Sequence, residues 1–536
     1  MPANKIKPNE SMAQSFPKIN KSIEDSFEAL EKSTRADDNS NTALIRARNT
    51  QAQLNTIIIH NGESDAEVLQ MRVDEDGVQH ETASERLMAD FTKLYNYYVK
   101  NEKDLEELGY NVRRFGAVGD GITDDAPAIQ RALDESNGKK VIIPDDGRTY
   151  LIKSPLIIKS NTILEIGNST TIKRGANINN MVRNDADGTI GGYGANTNIE
   201  IVGGVWDANG TEYPTNCSLI AIGHANNIRI RNAKFKEIYN WHYIELNAVQ
   251  DGLVRDCLFD GYILNTGTEM VQIDVMRDAG VFPWFGPYDN TACNNITIQN
   301  NIFRNGKKGF GSHTMVANSP HTNVNVLDNY FYGMSNVAVD ARHYNRLLVK
   351  GNTFENCWKG VMAQSFDTSN PVYGCTIDGN TFSSINTAED ARAIQIWQTV
   401  NRGIISNNTI NNVGRHGIGV DYGRWWGVKG NVVTNCGQAG IYIYGSSHVT
   451  VEGNNCSVNN TTNTSGRYDI MIGYSAVEKN ANNVVIGNYT ESIGVNNTIK
   501  TLVTNNNILS QENSSLAPGN NDRLQVLNNF IGSTWS

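Results

Sequence analysis

Three polar residues that could do chemistry lie close together in the stretch GTEMVQIDV, which runs from Gly267 to Val275. Glu269, Gln272 and Asp274 fall within a segment whose valine and isoleucine residues otherwise indicate a β-strand. Two carboxylates can serve as the acid and the base, or as the acid and the nucleophile, in the hydrolysis of a glycosidic bond. This stretch is therefore the first candidate for a catalytic site.

The direction of these side chains can be predicted, because successive residues of a strand point to opposite faces. If the valine and the isoleucine of the stretch point into the protein, Met270, Gln272 and Asp274 point outward. Glu269 stands at the start of the strand, where the preceding turn can direct it outward as well. The same alternation in other strand-like runs predicts further residues that point outward. Together with Glu269, Gln272 and Asp274 they form one outer row, whose other members are Glu245, His313, Asp340, Arg342, Gln364, Trp397, Asp421 and Tyr442.

A short phrase of the type Asn-x-Phe recurs along the second half of the chain and shows which elements must position the outer row. Its third residue recurs roughly every 23 to 28 residues, a period typical of solenoid proteins. The positions are Phe303, Phe331, Phe354, Phe382, Ile410, Val433 and Cys456. The runs between them are β-like and show no helical pattern, which predicts an all-β fold, a parallel β-helix. Asparagines at equivalent turns are expected to hydrogen-bond their neighbours above and below.

Acids, amides and aromatic rings along one face suit a linear sugar polymer, because rings stack on sugars and carboxylates bond hydroxyls. Glu269 and Asp340 are expected two coils apart, roughly 9 to 10 Å at the spacing of parallel strands, close to the separation in inverting glycosidases. Asp274 is a competing acid. His313 could orient a substrate hydroxyl or transfer a proton, and Arg342 could bind a charged substituent.

Two aromatic segments are further candidates for substrate contact. The repeat spacing is interrupted once, by MRDAGVFPWFGPYDNTAC, which follows the acidic strand directly. Long loops with clustered aromatic residues on a rigid scaffold are usually functional, so this loop with Trp284 is expected to wall the site. A contact between subunits is the alternative for the loop. Trp425, in the pair of tryptophans beside Asp421, is a second candidate platform for a sugar.

Composition excludes several classes of function. The 536 residues are too many for one compact core, and the net charge of -10 without a block of basic residues disfavours a nucleic-acid partner. The seven cysteines are dispersed and form no metal-binding motif, which predicts buried, reduced thiols and neither a metal nor a cofactor. The sequence contains no run of eighteen apolar residues, so no membrane span is predicted, and MPANKIKPNESM does not resemble a signal peptide. We therefore expect synthesis in a cytoplasm.

The first 108 residues differ from the rest, because their apolar residues follow a helical spacing. These residues are Phe16, Ile19, Ile23, Phe27, Leu30, Leu87, Phe91, Leu94 and Tyr98. The apolar stripe is narrow and the segment is polar, which favours association between subunits over a stable isolated helix. A helix pair packed within one chain is the alternative.

The junction FGAVGDGITDDAPAIQRAL predicts a strand, a glycine-rich turn and a short helix that covers the open end of the solenoid. Asp124 or Asp125 is expected to cap this helix, with Pro127 in its first turn. The motif resembles the one that opens the pectate-lyase-like right-handed β-helix superfamily, which includes lyases, hydrolases, transferases and inactive members. QAQLNTIIIHNGESDAEVLQMRVDEDG resembles a module near the N-terminus of tail proteins of phages that infect Gram-positive bacteria.

The order of these segments is similar to that of a phage tailspike or pre-neck appendage protein. The resemblance implies a homotrimer in the virion that attaches to the phage tail or baseplate through residues 1–108. It also implies a first strand and capping helix over residues 109–160, a β-helix with the substrate site over 161–510, and the end of the β-helix over 511–536. The implied partner is a host cell-surface polysaccharide or wall teichoic acid, acted on outside the host that made the protein.

Four functions remain open at this stage. A hydrolase would use Glu269, Asp274, Asp340 and His313, either on a glycosidic bond or on the phosphodiester of teichoic acid, where Arg342 would hold the phosphate. A lyase would need a basic residue as the proton abstractor, for which Lys307, Lys308 and Arg342 are near, and often calcium-binding carboxylates, of which no tight triplet is evident. A receptor protein would only bind. In the simplest interpretation, the outer row is the solvated face of a sheet.

Overall fold

The structure, a computed structural model, describes residues 71–185, 188–264, 268–280, 282–386, 390–473, 480–496, 498–510, 515–516 and 523–532. It confirms the predicted fold, a right-handed parallel β-solenoid of about 15 turns with two α-helices in the described residues. The chain divides into two compact units, residues 1–117 and 118–536. None of the described helices is long and apolar enough to span a membrane.

The described part of the first unit contains a 26-residue helix, Ala83–Leu108. Its start is fixed by a reciprocal capping box, in which Glu85 N donates to Thr82 Oγ1 at 3.1 Å and Thr82 N donates to Glu85 Oε2 at 3.2 Å. Leu87, from the predicted apolar stripe, is buried. The stripe from Phe16 to Leu30 and the side chain of Tyr98 lie outside the described residues. The unit ends with a short strand, Tyr110–Asn111, and a 3-10 helix, Val112–Phe115.

A helix over residues Ala126–Ser136 covers the first coil of the solenoid, as predicted. Its apolar face, which includes Ile129 and Leu133, is buried against the first strands. The side-chain amide of Gln130 bonds both backbone groups of Ile157, accepting from its N–H at 2.7 Å and donating to its carbonyl at 3.1 Å. The helix thereby satisfies part of a strand edge that would otherwise be open to another chain.

The cap of this helix combines both predicted aspartates. Asp125 is the N-cap residue, but its carboxylate accepts from the backbone N–H groups of Val118 at 2.6 Å and Leu151 at 3.2 Å rather than from the helix. Asp124 Oδ1 instead accepts from Ala126 N at 3.2 Å. The first carboxylate therefore ties together neighbouring strands, while the second bonds the first turn of the helix.

The β-helix has three parallel sheets, and each coil contributes a strand to each sheet. The first coils use Asp120–Asp124, Lys140–Ile143, Thr149–Ile152, Leu156–Ile158, Ile163–Arg174, Asn180–Asn184, Asn196–Asp207 and Ser218–Arg231. The sheet that carries the outer row, here called the site sheet, continues with Ile244–Arg255, Glu269–Asp274, Lys308–Gly311, Val337–Arg342, Lys359–Ser365, Arg392–Gln398, His416–Asp421, Ile441–Tyr444, Ile470–Gly473 and Ile493–Val495.

Two further sheets complete the coils. The second sheet follows the end of Ile244–Arg255 with Asn294–Gln299, His321–Leu327, Tyr344–Lys350, Thr376–Asp378, Gly403–Ser406, Arg424–Lys429, Ser447–Glu452, Asn480–Ala481, Val484–Ile486, Thr498–Ile499, Leu502–Thr504 and Gln525–Leu527. The third comprises Lys234–Lys236, Leu258–Asp260, Ile302–Arg304, Tyr330–Tyr332, Thr353–Glu355, Thr381–Ile385, Thr409–Val413, Val432–Cys436, Asn455–Ser457, Tyr489–Thr490, Asn507–Ile508 and Phe530–Ile531. A separate pair is formed by Val372–Tyr373 and Val400–Asn401.

Two ladders run through the interior and confirm the repeat analysis. Phenylalanines at the third position of the phrase stack with neighbouring ring centroids 4.6 to 4.9 Å apart from Phe259 to Phe382. Each buried asparagine bonds the next, so that N and Nδ2 of Asn352 donate to Asn380 Oδ1 at 2.9 and 3.0 Å. The asparagine ladder extends from Asn301 to Asn529. The seven cysteines are free and buried, as expected.

Candidate active site

Strand register brings the members of the outer row together on the site sheet. Glu245 is the register partner of Gln272, Gln272 that of Gly311, and Gly311 that of Asp340. A second column, two residues further along each strand, is formed by Arg342, Gln364, Trp397 and Asp421. Residues distant in sequence therefore lie on adjacent coils, about 4.8 Å apart.

The predicted exposure of the row is wrong for its acids and amides. Glu269, Gln272 and Asp274 are fully buried, and the remaining members with little exposed surface are Glu245, Asp340, Gln364, Asp421 and Tyr442. Met270 is also buried, with its methyl group against Gly306. Alternation identifies the face of a strand, but it does not say what covers that face. By contrast, His313 and Arg342 each keep 33% of their side-chain surface exposed.

Lys308 is the residue that joins the two candidate catalytic carboxylates. Its Nζ donates to Glu269 Oε1 at 2.9 Å and to Asp340 Oδ2 at 2.7 Å. Because both oxygens lie within 3 Å of one nitrogen, they are at most about 6 Å apart, so the predicted inverting separation is wrong for these oxygens. Coil spacing fixes the backbone, whereas the long lysine side chain draws the two acids toward each other.

Further hydrogen bonds saturate the Asp340 carboxylate. Gln364 Nε2 donates to Asp340 Oδ1 at 2.6 Å, and Arg342 donates to Oδ2 through NH2 at 3.2 Å and through Nε at 3.3 Å. The Arg342 NH1 group also donates to the backbone carbonyl of His313 at 3.2 Å. Asp340 thus holds the guanidinium of Arg342 in place next to His313.

His313 and Glu269 form a hydrogen-bonded dyad, with His313 Nδ1 at 3.3 Å from Glu269 Oε2. Burial alone would lower the pKa of His313, but the hydrogen bond to Glu269 and the charges of Glu269 and Asp274 outweigh it and raise the pKa. Burial would raise the pKa of Glu269, but His313 and Lys308 hold it below its usual range. The dyad therefore favours an ionised Glu269 and a protonated His313, whose Nε2 is left for a substrate.

The two remaining acids are held toward their neutral forms. Burial raises the pKa of Asp274 to about 6 and that of Glu245 to about 7. Asp274 accepts from Gln272 Nε2 and from Val275 N, both at 2.8 Å, and Glu245 accepts from Ser218 Oγ at 2.5 Å. Near neutral pH Glu245 is thereby partly protonated, whereas Asp274, with the lower pKa, keeps most of its negative charge.

The loop after the acidic strand is folded onto the same face of the protein. Its Phe282 and Phe285 are buried in a cluster with Ala221 and Ala248 of neighbouring coils. Trp284 between them is only partly buried. These contacts are made within the chain.

The candidate aromatic platforms lie on different sheets. Trp397 is partly buried on the site sheet, and its ring meets that of the exposed Phe366 edge-on at 5.4 Å. Trp425 is exposed but belongs to the second sheet, where it stacks with His448 at 5.7 Å and contacts Arg402. Trp425 stays a candidate platform for a sugar, but it lies apart from the outer row, because the turn after the Asp421 strand carries the chain onto the second sheet.

One group of side chains has the composition of a metal site. Ligand atoms of His242, Glu269 and His313 lie within 4.8 Å of one another. His242 is fully buried, and burial lowers its pKa to about 3, so its ring is neutral. However, the Lys308 ammonium already occupies Glu269 Oε1, and its positive charge opposes a cation at this position. The donor set therefore fits an internal ion pair better than it fits a metal.

Sequence reasoning missed the importance of Lys308 and His242 for this site. Lys308 is the register partner of Glu269 on the next coil, so the pairing of an acid with a lysine was the available signal. His242 lies just before the strand that carries Glu245, and its ring is parallel to that of His313 with centroids 6.0 Å apart. Strand alternation does not predict the direction of either side chain, because His242 precedes its strand and Lys308 is the first residue of its strand.

Two family models match the β-helix. Residues 109–362 match the family described as rhamnogalacturonase A/epimerase, pectate lyase-like, and residues 372–531 match the right-handed β-helix region. Plasmin and fibronectin-binding protein A of Streptococcus pneumoniae is 33% identical over 300 residues, which cover 48% of this chain and 41% of that protein. Mannuronan C5-epimerase AlgE5 of Azotobacter vinelandii is 26% identical over 289 residues, 51% of this chain and 24% of that enzyme.

The similarity of fold extends to a solved structure. The surface adhesin PfbA of Streptococcus pneumoniae aligns with a TM-score of 0.53 and 21% identity over 78% of this chain and all of that one. The chain spans less than half the length of either curated relative. Together these matches confirm the fold, a right-handed parallel β-helix, of which residues 109–362 match the pectate-lyase-like family model.

Proposed function

We propose that this protein is a receptor-binding depolymerase of a phage tail, which binds an anionic glycopolymer of a host cell surface on the site sheet and hydrolyses it. The observation that carries the proposal is the partly exposed pair His313 and Arg342 above the buried group Glu269, Lys308 and Asp340. The pectate-lyase-like match supports a glycopolymer as the substrate class. The N-terminal resemblance to phage tail proteins supports the phage origin and, with it, a homotrimer.

The charge of the exposed groups selects an anionic polymer. Glu269 and Asp340 are buried and share the Lys308 ammonium, so that with Arg342 and a protonated His313 these five groups carry one net positive charge. Arg342 and His313 present the positive charges to solvent, and guanidinium groups bind carboxylates and phosphates through paired hydrogen bonds. The matching substrate group is the carboxylate of a uronic acid or the phosphodiester of a teichoic acid.

His313 is the proton carrier of the proposed reaction. Its Nδ1 is held by Glu269, and its protonated Nε2 gives a proton to the leaving oxygen as the bond to that oxygen breaks. Water forms the new bond to the other fragment and releases a proton to solvent, from which His313 is reprotonated. Arg342 holds the anionic group, while Glu269 and Asp340 act as positioning residues beneath the surface. Asp274 completes the electrostatic environment of His313.

Product analysis tests the proposal. The whole protein is incubated with wall polysaccharide and with teichoic acid of the host, and reducing ends, phosphate-ended fragments and unsaturated uronates are measured together. We expect hydrolytic products. We expect His313→Gln to form them at least about a hundred-fold more slowly than the wild type, because general acid catalysis contributes at least that factor. Arg346→Gln, on the second sheet, is the matched control and keeps full activity.

The outcome also separates the two kinds of bond. Reducing ends identify a glycosidase, and phosphate-ended fragments identify a teichoic-acid hydrolase. If the wild-type protein binds a polymer but releases no product of any kind, the depolymerase proposal is refuted. If His313→Gln is as active as the wild type, the role of His313 is refuted.

A receptor without catalytic activity is the second candidate function. The specific observation in its favour is the burial of all the acidic members of the outer row, because buried carboxylates cannot touch a substrate. A lyase with Lys308 as the base is disfavoured: burial would lower the pKa of Lys308, but Glu269 and Asp340 outweigh it and keep the ammonium charged. Unsaturated uronates among the products would reverse this conclusion.

A further inference from the structure

A buried hydrogen-bond donor without an acceptor lies on the site sheet, at the start of the strand His416–Asp421. The ring of His416 is fully buried, and its Nδ1 accepts from Ala439 N at 3.2 Å, so the proton of the neutral ring is on Nε2. Within the described part of the chain, Nε2 has no hydrogen-bond partner. A buried donor left unpaired costs stability, and His321 and His343 carry the same unpaired Nε2, so His416 supports a subsite only together with the cations beside it.

Three arginines crowd around this histidine. Burial and the charges of Arg392, Arg415 and Arg467 depress the pKa of His416 well below its usual value. Burial and the charges of Arg392 and Arg467 likewise lower the pKa of Arg415. Like charges this close repel one another, and an anion between them would relieve the repulsion.

The acids nearby only partly neutralise these arginines. Arg392 is committed to Asp421, with which it forms a close hydrogen-bonded ion pair. Arg415 reaches Asp390 only at 3.4 Å, and Asp390 also bonds Lys359 at 2.5 Å.

Among the residues that the structure describes, Arg467 lacks an acid partner. It lies over the Tyr442 ring at 5.4 Å and approaches Met471 Sδ at 3.5 Å, but no described carboxylate is within 4 Å of its guanidinium. Arg415 and Arg467 are both partly exposed. Their guanidinium groups therefore have donors left for an anion that arrives from solvent.

We infer that Arg415 and Arg467, which are partly exposed beside the buried His416, form a second anion-binding subsite for the same glycopolymer, an inference that rests on the proposed function. Register places His416 three coils from Val337, which lies five residues before Arg342 on the same strand. At about 4.8 Å per coil and about 3.3 Å per residue, the two subsites are offset by roughly 14 Å along the axis and roughly 16 Å across the sheet. The polymer then crosses the site sheet obliquely and places anionic groups on the two sites.

The surface between and beside the subsites suits sugar rings. Trp397 and Phe366 lie on the intervening coils. At the second subsite, Tyr442 and Met471 form an apolar cluster against which Tyr444 and Tyr468 pack, and the His416 ring stacks on Tyr442 at 4.6 Å. Aromatic faces hold sugar rings while the cations hold the charged substituents.

Binding of defined polyanions tests the inference separately from catalysis. The probes are oligogalacturonates and poly(glycerol phosphate), each as short and long fragments, with neutral dextran for comparison. In the Arg415→Gln/Arg467→Gln variant, we expect the gain in affinity from short to long fragments to fall about ten-fold, because charged hydrogen bonds are lost. Arg467→Lys should recover part of the gain, and Arg346→Gln on the second sheet should retain all of it.

The two probes distinguish a carboxylate from a phosphate as the bound group, because the loss appears with the polymer that the subsite recognises. Thermal unfolding of each variant confirms that it is folded. If both probes bind the wild type and the double variant with the same length dependence, the second subsite is refuted. If the double variant loses the gain in affinity with fragment length but the wild type forms no product, the subsite is supported and only the hydrolase is refuted. Failure of the wild type to bind either probe overturns both proposals.

Discussion

Replacing Lys308 with methionine tests the central electrostatic argument, that one ammonium bridges two buried carboxylates and compensates part of their charge. Removing one partner of a buried ion pair typically costs about 3–5 kcal/mol. We expect about 3 kcal/mol at pH 7, the lower end, because His313 still bonds Glu269 and Arg342 still bonds Asp340. Equilibrium urea unfolding measures the difference, and an unchanged dependence on urea shows that the same transition is compared.

The effect of this substitution should depend on pH in a defined direction. The folded pKa of Glu269 is lowered, so its contribution to stability is present above its unfolded pKa and is lost as the pH falls. Without Lys308, burial raises the pKa of Glu269, and the carboxyl takes up a proton at higher pH. The difference between wild type and Lys308→Met is therefore largest at neutral pH and shrinks toward pH 4.

A surface ion pair supplies the matched control. Lys350 is 58% exposed and pairs with Asp378 at 3.3 Å, so Lys350→Met should cost less than about 1 kcal/mol. Adding Glu269→Gln to Lys308→Met should restore part of the loss, because one uncompensated charge is removed. If Lys308→Met and Lys350→Met are equally stable at pH 7, the two carboxylates do not depend on Lys308 and the reasoning fails.

Two further substitutions probe the scaffold. Asn380→Ala should lower the free energy of unfolding by about 3 kcal/mol, because it removes the acceptor of Asn352 N and the donor to Val349 O. Urea titrations measure this difference, and a loss below about 1 kcal/mol would contradict the ladder argument. Burial raises the folded pKa of Glu245 to about 7, so its ionisation opposes folding as the pH rises above the unfolded value. Glu245→Gln should therefore gain about 3 kcal/mol over wild type between pH 4 and pH 9, and a gain that is independent of pH would count against this explanation.

The fold could be predicted from the sequence because each coil repeats the same local solution. Phe303, Phe331 and Phe354 stack directly on one another, so their spacing along the chain is the length of a coil. A buried asparagine beside each phenylalanine is held by its counterpart on the next coil, and such a residue has no other reason to recur. Period and residue type therefore carry the architecture without any knowledge of distant contacts.

The candidate site could be predicted only in part, because it depends on what covers the sheet. Alternation correctly assigned Glu245, Gln272 and Asp340 to one column of the site sheet. It could not show that these side chains are buried, because burial depends on the long Lys308 side chain and on the packing of neighbouring coils. Strand ends escape the rule as well, which is why Met270 turned out to be buried.

The arrangement of charges suggests why acids would be buried beneath an exposed cationic surface. A flexible arginine on an open sheet would lose side-chain entropy each time a polymer bound to it. Here Asp340 holds Arg342, and Glu269 holds His313, before any ligand arrives, so the ordering and desolvation are completed during folding.

The cluster of Arg415, His416 and Arg467 repeats this principle three coils away, with Asp421 holding Arg392 behind it. Two fixed anion sites on one rigid solenoid raise the effective concentration of the second anionic group once the first is bound. A polymer with regularly spaced charges would therefore gain more from this surface than a single sugar, which is the selectivity that the proposed binding of a host-surface polymer requires.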